Sequence, residues 1–417
     1  MKKTIAQELS ARRISCPLPG IYRILVWAMR LLYQKKLDMH FQRDIDVRKI
    51  KGPFIVVSNH ASRMDYLYSA FAFEGHRLNF VAGYNEFFRS HLKFILRFMQ
   101  AIPKKNFTPD MYAMREMRRV IKKGGALALF PEGMSSISGA NQPVAVGTGS
   151  FLKAMNVPVY MTLIKGGYLT NTKYCLDERP GRTEITVRQL FTVDELKALT
   201  AQQVEDRLNT ELYHDDYAWN KTARARFEGN GRMAHDMHTL LYKCPRCGTE
   251  FRMKGEGDVI RCLECGNGAV VNEYYDLVPF DDNCVIPDTP AAWLDWEREE
   301  VKKEIAAPDF CLTERVKLGV LPEYEFLTDQ KTSIITDEGT LILTHEGLRY
   351  EGAAESFSLT TDQTPTYGMC TDVSRFYTFV NGQFREFYPE NAVTEKWFLA
   401  TEELHRLHGG KWQDFKR

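Results

Sequence analysis

The stretch Asn59-His60-Ala61-Ser62-Arg63-Met64-Asp65 sets an imidazole five residues ahead of a carboxylate, directly after the apolar run 53–58. An imidazole held by an acid can take a proton from an alcohol, because the acid fixes the ring tautomer and stabilises the imidazolium that forms. The competing reading is purely local: Ser62-x-x-Asp65 also fits a helix capping box, which needs no catalysis. A phosphodiesterase reading would want a lysine two residues after the histidine, and that position is Ser62. Further on, Phe130-Pro131-Glu132-Gly133 follows a second apolar run and reads as a turn exposing backbone N–H groups and one carboxylate at a sheet edge.

A separate constellation lies at Cys244-x-x-Cys247 and Cys262-x-x-Cys265, with fourteen residues between the pairs and a glycine after each. Four thiolates at this spacing complete a tetrahedral zinc site and leave no position open for substrate, so a structural zinc is expected. The other five cysteines are scattered, which fits a reducing compartment with one metal site better than a disulfide framework.

The elements that must hold these groups follow from the apolar pattern. Strands are expected at 53–58, 78–82, 101–103, 126–130 and 157–163, alternating with helices at 62–73, 86–99 and 109–123. That alternation predicts an α/β sheet covered by helices, with ligands gathering at the carboxyl ends of strands, where His60 falls. In helix 86–99, Arg89, Lys93 and Arg97 repeat every four residues, forming either a solvated face or a row facing an anion. From about 310 short strands dominate, including 375–380 and 383–388 joined by the hairpin signal Asn381-Gly382. A helix over 393–408 closes the chain, with Trp397, Phe398, Leu404 and Leu407 read as core anchors. The element order resembles a pleckstrin-homology-like barrel. Four regions result: 1–49 as a basic membrane-interface region, 50–235 as the catalytic domain, 240–275 as a zinc ribbon and 310–417 as a small β domain.

Net charge is only +1, but residues 1–40 hold eight lysines and arginines against two acids, which points to an anionic surface nearby. A helix over 20–36 would place Arg23, Trp27, Arg30 and Gln34 on one stripe and apolar residues around the rest. Such a helix suits a membrane interface, or burial against the catalytic domain. No run of 18 apolar residues exists, so no spanning helix is expected, and no signal-peptide cleavage site is read. Over 243–265 the charge is nearly balanced, a poor footprint for phosphate backbone, so no nucleic-acid partner is expected.

Over about 20–170 the chain resembles the glycerolipid acyltransferase family, which contains 1-acylglycerol-3-phosphate acyltransferase. NHASRMD at 59–65 resembles the family's NHxSxxD block and FPEGMSS at 130–136 its FPEGTRS block; FVAGYNEFFRSHLKFILRFMQAIPKKN at 80–106 and VPVYMT at 157–162 resemble two further blocks. The resemblance implies His60 as general base with Asp65 as its partner. It implies Asn59, Ser62, Glu132 and Gly133 around the acceptor, with Arg63, Lys104 and Lys105 as candidate substrate-binding cations in place of those the family carries elsewhere. It also implies acyl-CoA or acyl-ACP as donor, a lysolipid acceptor and a peripheral place on the cytoplasmic membrane face. The pattern departs at Met134, Ser135 and Asn106, where the family has a threonine and two arginines that grip the acceptor phosphate. Acylation of a non-phosphate acceptor, or a non-catalytic lipid- or carrier-binding protein, therefore stays open.

Overall fold

The run Phe54-Ile55-Val56-Val57 sits at the centre of the molecule because its side chains feed two cores. Phe54 and Val56 enter one, Ile55 and Val57 the other, and all four are buried. The structure, a computed structural model, describes residues 2–328 and 331–411. Seven strands form the first sheet: Met39–Arg43 (β1), Phe54–Ser58 (β2), Leu78–Gly83 (β3), Ile102–Lys104 (β4), Ala126–Leu129 (β5), Val159–Lys165 (β6) and Thr183–Phe191 (β7). Their order is β1-β7-β6-β2-β5-β3-β4, parallel throughout except between β6 and β7. Around it run Ile5–Ala11 (α1), Pro19–Tyr33 (α2), Asp65–Ala72 (α3), Lys93–Phe98 (α4), Met111–Lys122 (α5), Thr148–Met155 (α6), Gly167–Thr170 (α7), Val193–Ala198 (α8), Ala201–Leu212 (α9) and Asp216–Ala223 (α10). Helix α3 closes one face, while α5, α6 and α9 close the other.

Two expectations need correction. The sheet begins before residue 50, since β1 pairs along its length with β7; its polar sequence MHFQR hides it. The stretch 86–99 is not one helix. A 3-10 turn at Tyr84–Phe88 gives way to an extended Arg89 before α4. The helix is interrupted because Ser90 N–H and the Phe88 carbonyl bond Leu327 of a later loop, both at 2.8 Å. Its cations do not form an anion-facing row: Arg89 pairs with Glu86, Arg97 with Glu8, and Lys93 lies over the Phe326 ring. In α2 Tyr22, Val26, Met29 and Tyr33 pack toward the core. Arg30 turns inward to the Phe71 carbonyl and Glu74, while Ile24, Trp27, Leu31 and Leu32 face outward.

Strands Met253–Glu256, Val259–Cys262, Gly268–Val271 and Leu277–Pro279 (β8–β11) form a small antiparallel sheet around the cysteines. Helix Pro290–Ile305 (α11) leads to seven antiparallel strands: Cys311–Val320 (β12), Ile334–Thr344 (β13), Gly347–Gly352 (β14), Ser356–Thr360 (β15), Gly368–Met369 (β16), Phe376–Val380 (β17) and Gln383–Pro389 (β18). Their order is β15-β14-β13-β12-β18-β17-β16, followed by Thr394–Leu407 (α12). Asn381 and Gly382 both take the left-handed φ that a two-residue hairpin demands. Trp397, Phe398 and Leu404 are buried as expected, but Leu407 is 54% exposed in the last helical turn, beyond the sheet.

Candidate active site and four-cysteine cluster

Strand β2 ends at Ser58, and the chain then turns without losing contact with β6. Asn59 acts as a substitute strand residue: its side chain accepts from Ile164 N–H (2.7 Å) and donates to the Ile164 carbonyl (2.8 Å). This leaves His60 at the strand tip, with its main chain clamped from the FPEGMSS turn. His60 N–H donates to Glu132 Oε1 at 2.7 Å, and the His60 carbonyl accepts from Ser136 N–H at 2.6 Å. The Phe130 ring stacks on the imidazole, with centroids 4.6 Å apart.

The His60 ring meets Asp65 with Nδ1 and Oδ2 2.8 Å apart; the imidazole is 23% exposed and the carboxylate 1%. Asp65 also accepts from Ser62 N–H at 3.0 Å and Ser62 Oγ at 3.1 Å. The Ser62 and His60 contacts thus coexist on one carboxylate, while α3 starts at Asp65 behind Met64 without a side-chain cap, so the capping box is not formed. Burial pushes the Asp65 carboxyl above its usual range, and the His60 and Ser62 bonds act in the opposite direction. With Nδ1–H donated to Asp65, Nε2 carries the free lone pair.

Glu132 does not face outward. Its carboxylate accepts from His60 N–H, Asn141 Nδ2 and Gln142 N–H, so its contacts hold the loop and not a ligand. Burial drives the carboxyl up to about 8, with those three donors opposing the shift. A raised carboxyl contributes stability that is fully present below the ordinary glutamate range and is lost as pH rises through about 8. Glu132→Gln is therefore expected to be about 1–3 kcal/mol less stable than the parent at pH 6. The gap should narrow by pH 9. Paired melting curves at the two pH values check this.

The remaining predicted residues divide by place. Gly133 takes φ +82° in the turn, with the Phe107 ring 3.2 Å from where a Cβ would stand, and its carbonyl accepts from Asn106 Nδ2. Ser62 is buried against Asp65. Arg63 lies in the His60–Asp65 loop and donates to the Leu176 carbonyl at 2.7 Å. Lys104 bonds the Lys105 carbonyl, and burial lowers its pKa. Lys105 reaches the Gly382 carbonyl between the Tyr84 and Phe379 rings. Sequence reading missed Lys173, which is 5% exposed and contacts Ser135 Oγ at 3.3 Å. The segment TNTKYC carries no motif that would have found it.

The four cysteine sulfurs lie within 4.8 Å of one another. Cys244–Cys265 and Cys247–Cys262 are 3.7 and 3.8 Å apart. A tetrahedron with Zn–S bonds of about 2.3 Å has S–S edges near 3.8 Å, so the donor set fits zinc in both chemistry and size. Gly248 and Gly266 both take φ +72°, which lets each CxxC turn curl back on its metal face.

Residues 36–165 match the family described as Acyltransferase, and 237–268 match a zinc-ribbon family described as DNA directed RNA polymerase, 7 kDa subunit. No curated protein matches the chain. Among solved structures, the 1-acyl-sn-glycerophosphate (LPA) acyltransferase PlsC from Thermotoga maritima is similar over 46% of this chain and 80% of its own, at 19% identity and a TM-score of 0.38. The chain thus contains an acyltransferase-like α/β domain, followed by a four-cysteine zinc-ribbon-like segment and a β-rich C-terminal domain with a terminal helix.

Proposed function

We propose that the protein transfers a fatty acyl group from a thioester, acyl-CoA or acyl-ACP, to a hydroxyl of a lysophospholipid such as 1-acylglycerol-3-phosphate. The reading is carried by the His60–Asp65 bond at the tip of β2, inside residues that match the acyltransferase family. His60 Nε2 takes the proton of the acceptor hydroxyl as its oxygen attacks the thioester carbonyl. The tetrahedral adduct collapses with loss of thiolate, which receives the proton from the imidazolium. Because a thioester is already activated, alignment and one base can supply the catalysis. Zinc on the four thiolates has a structural role in this reading.

The test is thiol release from acyl-CoA and acyl-ACP with a panel of lysolipids and plain alcohols. One thiol per ester formed is expected, and the absence of both with every acceptor would overturn the proposal. Ser135 and Asn106 in place of the family's arginines favour a second reading, with a non-phosphate acceptor; the same panel decides it.

The exposed Ile24, Trp27, Leu31 and Leu32 of α2, with Arg23 beside them, support a place on the inner membrane surface. No described helix is long and apolar enough to cross a membrane. Burying a large apolar side chain is worth about 1.5–3 kcal/mol. Trp27→Glu with Leu31→Glu is therefore expected to weaken binding to anionic phospholipid vesicles at least roughly tenfold, read by co-sedimentation.

A further inference from the structure

Two cations beside the His60 loop make direct bonds only to neutral oxygens. Lys173, just after α7, is 5% exposed, and its ammonium donates to the Met369 carbonyl at 2.8 Å and to Ser135 Oγ at 3.3 Å. Arg63 donates through Nη2 to the Leu176 carbonyl, while its Nη1 is buried with no hydrogen-bond partner. Among the described residues neither forms an ion pair. Both partners of Lys173 and the one partner of Arg63 are neutral oxygens.

The nearby acids are engaged elsewhere. Glu178 pairs with Lys36, and Asp177 with Arg232. Asp372 accepts from Ser374 N–H and Oγ within its own turn. Glu395 is buried near Lys173 with both oxygens unbonded, and burial raises its carboxyl, with Arg298 and Lys173 opposing the shift. Burial lowers Lys173 to about 8, with Cys370, Asp372 and Glu395 opposing the shift and Arg63 adding least to it. A buried charge is costly unless it is paired, and here two like charges share one corner.

That corner adjoins the catalytic loop. Ser135 precedes Ser136, whose N–H holds the His60 carbonyl, and Arg63 lies between His60 and Asp65. Its outer wall comes from the C-terminal domain. Asp372 N–H donates to the Lys173 carbonyl at 2.8 Å, and Met369 N–H meets Met134 Sδ at 3.2 Å. A cation thus reaches position 135 from a distant part of the chain and is capped by a segment more than 190 residues downstream.

We propose that Arg63 and Lys173 form a subsite for the anionic group of the acyl acceptor, a phosphate monoester, and that residues 369–373 close it. The arginine fork and the ammonium suit a tetrahedral dianion, bonded by charge-assisted contacts. On binding, the ammonium exchanges the Met369 carbonyl for a phosphate oxygen, and the acceptor hydroxyl comes to rest beside His60. This inference rests on the acyl-transfer reading above.

The test uses the full-length, zinc-loaded protein and Lys173→Met, with Lys173→Arg as the conservative variant. Rates are measured with 1-acylglycerol-3-phosphate against 1-monoacylglycerol, each with acyl-CoA and with acyl-pantetheine, a donor without phosphate. The ratio of kcat/KM between the phosphate-bearing and the neutral acceptor is expected to fall roughly 10- to 100-fold in Lys173→Met, through KM, and to recover in Lys173→Arg. An equal fall with both acceptors, or a fall seen only with acyl-CoA, overturns the subsite. If Lys173→Met does not fold, Arg63→Met is read in the same way. Should the parent protein turn over no acceptor, the acyl-transfer reading fails alone. Calorimetric binding of glycerol 3-phosphate to the parent and not to Lys173→Met would still support the subsite, and no binding to the parent would sink it.

Discussion

His60→Ala is expected to lower acyl transfer roughly 10²–10⁴-fold while the protein remains folded. The imidazole contributes little to the core: it is 23% exposed, and the bonds that clamp this loop come from the His60 main chain. Removing it deletes the imidazole whose Nδ1 is held by Asp65 and whose Nε2 is left to act as base. Asp65→Asn is expected to lose activity too, because an amide no longer stabilises the imidazolium, and in one orientation it directs N–H groups at Nδ1. Since Asp65 also accepts from Ser62 N–H and Oγ, this variant should melt earlier than His60→Ala. If histidine and aspartate act as one unit, the double variant will be no slower than His60→Ala alone. Losses that multiply would mean the two residues act separately. Steady turnover by His60→Ala, measured as thiol release, would remove the base from the mechanism.

Five of the seven strands and the pair at the tip of β2 were legible because their signals are local, whereas β1 and β7 were not read as strands. Four buried apolar residues in a row mark β2, and five residues of spacing suffice to bring an imidazole onto a carboxylate once the strand ends. Roles set by distant chain segments were not legible. Glu132 reads as a surface carboxylate in a Pro–Glu–Gly turn, and only the return of Asn141 and Gln142 shows that it faces inward. The 86–99 stretch has helical composition, and it breaks because a loop near residue 327 takes its backbone bonds. In α2, apolar content alone does not say which side is buried. Arg30 enters the interface because the Phe71 carbonyl and Glu74 await it there. Lys173 has no signal at all, since its meaning comes from Ser135 and Met369, 38 and 196 positions away.

Removing zinc is expected to destabilise far more than the ribbon. The ribbon segment lies between the two larger bodies and bonds both. On one side Tyr275 Oη donates to the Leu169 carbonyl at 2.6 Å, and Phe227 N–H to the Glu273 carbonyl at 2.8 Å. On the other, Lys243 N–H donates to Glu297 at 2.7 Å and the Trp293 indole donates to the Lys243 carbonyl at 3.0 Å, which fixes α11 next to Cys244. Helix α11 in turn holds α12, through Arg298 on Glu402 and Glu403. A metal held at a thousandfold excess over its Kd adds about 4 kcal/mol to folding. At roughly 2–4 °C per kcal/mol in a body of 150–250 residues, Cys262→Ser or chelation should lower the melting temperature by on the order of 10 °C. Proteolysis should then begin within 237–279. Acyl transfer should fall as well, because α12 and residues 369–373 belong to the domain that α11 seats against the acyltransferase site. Metal analysis is the direct check. Less than one zinc per chain in protein prepared with zinc present, or a melting curve indifferent to chelation, would leave the four thiolates without the role assigned to them here.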